Sequence, residues 1–177
     1  MQLGVYLHCP LIQKNIHMKE RNIQFKYFIY ESPEELPDED LALLTLARKT
    51  MENAYAPYSG FRVGAAVLLE GGEMLAGTNY ENAAYPLGAC AERNVLAAAH
   101  AQHPDKAVLA IAIAVQNDKM EIVEPAAPCG GCRQNILETE RKNNHHIRII
   151  MHGESGPVYV VEKGADLLPL AFDETYL

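Results

Sequence analysis

Cys90-Ala91-Glu92 and Pro128-Cys129-Gly130-Gly131-Cys132 are the stretches from which the rest of the sequence can be read. They hold three of the four cysteines, with a carboxylate two residues beyond the first thiol. A Cys-x-x-Cys pair brings two soft ligands within reach of one ion. A third cysteine from elsewhere leaves the fourth tetrahedral position of a zinc open, as catalytic zinc requires. Glu92 would stand beside such a metal without binding it. The flanks bear on this. Arg93-Asn94-Val95-Leu96-Ala97-Ala98-Ala99 follows Glu92, and Arg133-Gln134-Asn135-Ile136-Leu137 follows Cys132. Both are helix-forming, so each motif reads as a helix N-terminus, where the positive end of the macrodipole favours thiolate over thiol. Residues two apart do not share a helix face. Cys90 and Glu92 can therefore approach one metal only if Cys90 lies at the helix start.

Spacing alone leaves two other readings open. One is a closed structural zinc with His100, His103, His145, His146 or His152 as fourth ligand. The other is a redox Cys-x-x-Cys, which gives no account of Cys90 and Glu92.

The chain has 177 residues, enough for one domain with a real core. Apolar residues make up 49% and charged residues 21%, a globular balance. The net charge of −8 and the lack of a long Lys/Arg run argue against a nucleic-acid partner. No apolar run reaches the roughly 18 residues of a membrane helix. Leu3 to Ile12 lacks the positive start and cleavage site of a signal peptide. Thiols in metal-like spacing suit a reducing cytoplasm rather than a disulfide framework. Cys9 is left over, without a pattern around it.

Residues 1–17 show no period and read as a lead or extension. Asn22 to Tyr30 alternates aromatic and β-branched residues, which predicts a strand that could add an edge or an oligomer contact. Pro33 and Pro37 mark a linker. Leu41, Leu44, Ala47, Met51 and Ala54 recur at helical spacing, predicting a helix over 38–55. Strands are predicted over 61–69 and 74–79 around Glu70-Gly71-Gly72-Glu73, over 107–115, and over 147–151 and 158–161. Helices are predicted from Cys90 to before Pro104 and from Cys129 to about Lys142. The run 107–115 is apolar almost throughout, as in a central strand covered on both faces. The alternation gives an α/β class with a mixed sheet between helices.

Cys-Ala-Glu-Arg and Pro-Cys-Gly-x-Cys-Arg-Gln resemble the motifs of zinc-dependent cytidine deaminases of the small homotetrameric type. The resemblance runs from about Leu41 to Phe172 and includes Pro57-Tyr58-Ser59-Gly60-Phe61, Asn79-x-Glu81 and Leu167-Leu168-Pro169-Leu170-Ala171-Phe172. It implies a three-layer α/β/α sandwich with a mixed sheet of about five strands. Residues 1–37 would be an extension with a possible extra strand, and 38–177 the catalytic domain. It implies hydrolytic deamination of cytidine and 2′-deoxycytidine with release of ammonia, in pyrimidine salvage. Cys90, Cys129 and Cys132 would hold one Zn²⁺ per chain, Glu92 would move protons, and Arg93 would offset the negative zinc–thiolate charge. Phe61 and Ala91 would contact the substrate, Phe61 by lining the pyrimidine pocket. Asn79 and Glu81 would hydrogen-bond the ribose, an amide and a carboxylate being suited to hydroxyls. Tyr85 and Phe172 would reach a neighbouring subunit's site in a homotetramer. Blander roles exist for each: a polar turn at 79–82, a core ring at Phe61, a solvated charge at Arg93, and a tail ring on its own core at Phe172. Two rival functions share the zinc motif. A blasticidin-type deaminase lacks a reason for Asn79-x-Glu81, and a zinc-stapled binding module would show zinc without turnover.

Overall fold

In the computed structural model, which describes residues 18–177, the apolar runs become six strands. These are β1 (Phe28–Tyr30), β2 (Phe61–Leu69), β3 (Met74–Thr78), β4 (Val108–Asn117), β5 (Arg148–His152) and β6 (Val158–Val161). The helices are α1 (Asp38–Met51), α2 (Ala91–Gln102) and α3 (Gly130–Asn143). Cys9 and the stretch 1–17 lie outside the described residues. The sheet order is β1-β6-β5-β4-β2-β3. β4 and β5 are parallel and the other neighbouring pairs antiparallel, so the sheet is mixed. A parallel step needs a crossover, and α3 supplies it.

β4 lies inside the sheet and divides the core. Ile111, Ile113 and Val115 face α2 and α3. Ala110, Ala112 and Ala114 face α1, together with Leu43, Leu44 and Ala47. This is the expected α/β/α sandwich, with bulky residues under two helices and small ones under one.

Gly64 shows how closely α1 sits. A Cβ there would lie 2.1 Å from the Ala47 carbonyl oxygen and 2.8 Å from the Met51 amide nitrogen, both backbone atoms. Only a shift of the helix could relieve the clash. Gly64→Ala is expected to cost about 3 kcal/mol, the upper end of overpacking penalties. Denaturant titration measures it. Unchanged stability would mean that α1 is not held against β2 as described.

Two boundaries differ from expectation. The strand predicted over 22–30 shrinks to Phe28–Tyr30, which pairs with Val160, Tyr159 and Val158 of β6. Upstream, Tyr27 uses its ring, 5.3 Å from that of Tyr159, rather than its backbone. β1 itself is the extra edge strand expected in the extension, added to the five expected after residue 37. The helix predicted to Tyr55 ends at Met51, where the Asn53 and Ala54 amides turn back onto Thr50 and Met51 carbonyls. Tyr55 instead pairs through its backbone with Asn79 and Glu81. The freed segment brings Tyr58 and Ser59 to the wall of the site.

Candidate active site

Cys90 and Cys129 are the N-cap residues of α2 and α3, each in extended backbone conformation. Neither side chain caps its helix, so both sulfurs stay free for another partner. Cys132 lies in the first turn of α3 and is fully buried, whereas Cys129 is exposed. The three sulfurs lie within 4.8 Å of one another, and Cys129 and Cys132 are 3.4 Å apart. A tetrahedral zinc with sulfur at about 2.3 Å sets sulfurs roughly 3.8 Å apart, so the cluster fits that ion. Among the described residues, no histidine or carboxylate joins it. His152, one of the candidates for a fourth ligand, lies buried on the α1 side of the sheet against Arg48. The thiols also conflict electrostatically. Hydrogen bonding from Cys132 holds the Cys90 thiol down to about 6. The same contact, with burial and the Glu92 charge, pushes Cys132 up. A cation among the sulfurs removes the conflict, since each could then be a thiolate.

Glu92 follows within the first turn of α2. It is 5% exposed yet lines the pocket beside Cys90 and Cys129. Ala91 is wholly buried at the first helical position. Arg93 points outward, exposed, and its charge contributes to lowering the Cys90 thiol. Arg133, the second arginine of the motifs, is held more tightly. It donates to the Pro128 carbonyl at 2.8 Å and the Leu167 carbonyl at 2.9 Å, fastening the start of α3 to the C-terminal segment.

The pocket above the cysteines has a volume of about 540 Å³. Phe61, Val63, Ile113 and Val115 form an apolar side, and Asn79, Glu81 and Ser59 a polar one. Among the described residues, Glu81 and Glu92 are the charged members of its lining, with no Lys, Arg or His. Asn79 extends the β2–β3 ladder. Its amide donates to the Val63 carbonyl, Oδ1 accepts from the Val63 amide, and Nδ2 donates to the Phe61 carbonyl. One N–H and one lone pair of its side chain remain. The Glu81 carboxylate accepts from the Tyr58 and Ser59 amides and the Ser59 hydroxyl. The Ser59 bond is the main cause that keeps its pKa below the usual carboxylate range.

Tyr85 lies at the rim, 76% exposed, with its ring edge-on to Tyr58. Phe172 is not part of this pocket's lining. It is exposed and stacks on Tyr176, in a tail stapled to α3 by Gln134 to the Phe172 carbonyl and by the Arg141–Asp173 ion pair. The structure thus brings Phe61, Asn79, Glu81, Tyr85, Glu92 and the cysteines together, and keeps Arg93 and Phe172 outside. Sequence reasoning missed the contacts of Ser59 with Glu81 and of Arg133 with Leu167. Both stood in quoted motifs, but their partners are distant along the chain.

Comparison with known proteins adds to the geometry. A sequence model described as the cytidine and deoxycytidylate deaminase zinc-binding region matches residues 37–145. The cytidine deaminase of Halalkalibacterium halodurans is 42% identical over 96 residues, which are 54% of this chain and 68% of that protein. The crystal structure of cytidine deaminase from Burkholderia pseudomallei superposes with a TM-score of 0.65 at 39% identity, covering 74% of this chain and 97% of that one. The corresponding Mycobacterium tuberculosis structure gives a TM-score of 0.57 at 33% identity, covering 75% and 95%. The chain belongs to the cytidine and deoxycytidylate deaminase family.

Proposed function

We propose that the chain deaminates cytidine and 2′-deoxycytidine hydrolytically, giving uridine or 2′-deoxyuridine and ammonia, as a step in pyrimidine salvage. The observation that carries this reading is the three-sulfur cluster, open on its fourth side, with buried Glu92 beside it in the same pocket. Cys90, Cys129 and Cys132 would hold one zinc ion per chain, which when bound supplies the Lewis acidity that makes a water nucleophilic at neutral pH. Glu92 takes a proton from the attacking water and delivers it to N3 of the ring, then takes the second proton from the hydroxyl now on C4 and passes it to the departing amine. A C4–O bond forms, the C4–N4 bond breaks and N4 leaves as ammonia. Arg93 and the two helix N-termini offset the charge of three thiolates.

The rest of the pocket holds the nucleoside. Phe61 and the backbone at Ala91 flank the pyrimidine. The last donor of Asn79 and the last lone pair of Glu81 are suited to a ribose hydroxyl. The two carboxylates, with no cation beside them among the described lining residues, repel a phosphate, which favours a nucleoside over a nucleotide. Free thiols at the site suit a reducing, cytoplasmic setting. Among the described residues, no helix is long and apolar enough to cross a membrane.

A homotetramer fits the exposed rings. Phe172 stands outside its own pocket on a stapled tail, and Tyr85 stands exposed at the rim, as residues completing a neighbour's site would. Phe172→Ala is expected to keep its zinc and raise the KM for cytidine. A fully active monomer at assay concentration would overturn the shared site. The test of the function itself is ammonia release and loss of cytidine absorbance across cytidine, deoxycytidine, CMP, dCMP and adenosine. Turnover confined to the two cytosine nucleosides is expected. Zinc without turnover of any of them would refute it.

A further inference from the structure

Building on that reading, we propose that Ser59 is a positioning residue for sugar recognition: its hydroxyl holds the Glu81 carboxylate in the orientation that receives the ribose. The two backbone donors on Glu81, from Tyr58 at 2.9 Å and Ser59 at 3.3 Å, both land on Oε2. Oε1 is held by the Ser59 hydroxyl. An ionised carboxylate has about four acceptor sites, and three are taken, leaving about one for a substrate hydroxyl. Which direction that last site faces depends on how Oε1 is held. The Ser59 oxygen in turn accepts from the Phe61 amide at 2.9 Å. One hydroxyl thus joins the sugar carboxylate to the residue that opens the pyrimidine wall, and both of its hydrogen-bonding roles are used. Gly60, between them, has φ of +71°, and its amide donates to Ala56 while its carbonyl accepts from Asp118. Neither backbone bond of Gly60 involves Ser59, so both remain when its hydroxyl is removed. The depressed Glu81 pKa agrees, because its main cause is the same hydroxyl.

The experiment uses the zinc-loaded full chain and four variants: Ser59→Ala, Ser59→Thr, Glu81→Ala and the Ser59→Ala/Glu81→Ala pair. Zinc, kcat and KM for cytidine are measured on each. Ser59→Ala is expected to raise KM about tenfold or more, the effect of losing a hydrogen bond to a charged group, while kcat stays within roughly threefold. Ser59→Thr keeps the hydroxyl and is expected to restore KM. In the Glu81→Ala background the Ser59 effect should fall to about twofold or less, because the two act as one unit. An unchanged KM in Ser59→Ala overturns the proposal. So does a loss expressed in kcat, loss of zinc or fold, failure of Thr to rescue, or an undiminished effect without Glu81. If the unaltered chain turns over no cytidine, the deaminase reading falls, and this inference with it. If it does turn over cytidine and Ser59→Ala is silent, only the role of Ser59 falls.

Discussion

Glu92→Gln is expected to keep its zinc and to lose about 10⁴-fold or more in kcat. A single general acid–base step contributes about 10²–10⁴. Glu92 is proposed to serve the attacking water, N3 and the leaving amine in turn, so the upper end is the floor. Glutamine has the same shape and fits the same 5% exposed position, so packing at the start of α2 should survive. Its amide can hydrogen-bond but cannot shuttle the proton. Zinc should stay because Glu92 is outside the sulfur cluster. Metal analysis and steady-state kinetics on the same preparation decide the matter. Loss of zinc, or activity within about tenfold of the unaltered chain, which is below the range for even one such step, would show that Glu92 has another role.

Cys129→Ala is expected to fail differently, losing the metal and with it all measurable turnover. Cys129 opens α3, Cys132 lies in the first turn of the same helix, and Cys90 comes from α2, so the site depends on two helix ends meeting. Two sulfurs cannot replace three, and no histidine or carboxylate among the described residues stands in reserve. A ligand that binds only the folded chain stabilises it by mass action, about 4 kcal/mol at a thousandfold excess over Kd. The Tm of the unaltered chain should therefore fall on chelation and recover with added zinc. The Tm of Cys129→Ala should respond to neither. Zinc retained at full occupancy in Cys129→Ala would remove Cys129 from the ligand set.

Much of the site was legible before any coordinates because its chemistry is local. Cys129 and Cys132 are three residues apart, and a helix start sets their geometry. Cys90 and Glu92 are two apart, and the helix rule required Cys90 at the N-cap, where it lies. The apolar run at 107–115 became the buried β4 for an equally local reason, since a strand without a polar face has to be covered twice. Where expectation and structure part, a partner from far along the chain intervened. Residues 22–27 carry a strand's alternation, but alternation does not supply a backbone partner, and the ladder with β6 begins only at Phe28.

By itself, then, the sequence determined the α/β class, the order of the elements from residue 38 onward, the two helix starts and the three cysteines that cluster. Each follows from periodicity or from ligand chemistry over a few residues. Tertiary structure alone decided how the pocket wall is held. Ser59 reaches Glu81 across 22 positions, Asn79 spends half of its amide on β2, and Arg133 clasps Leu167 across 34. It also decided that Phe172 stands outside its own pocket. Hydrogen bonds of this kind depend on sheet register and on where loops cross, which no local pattern encodes.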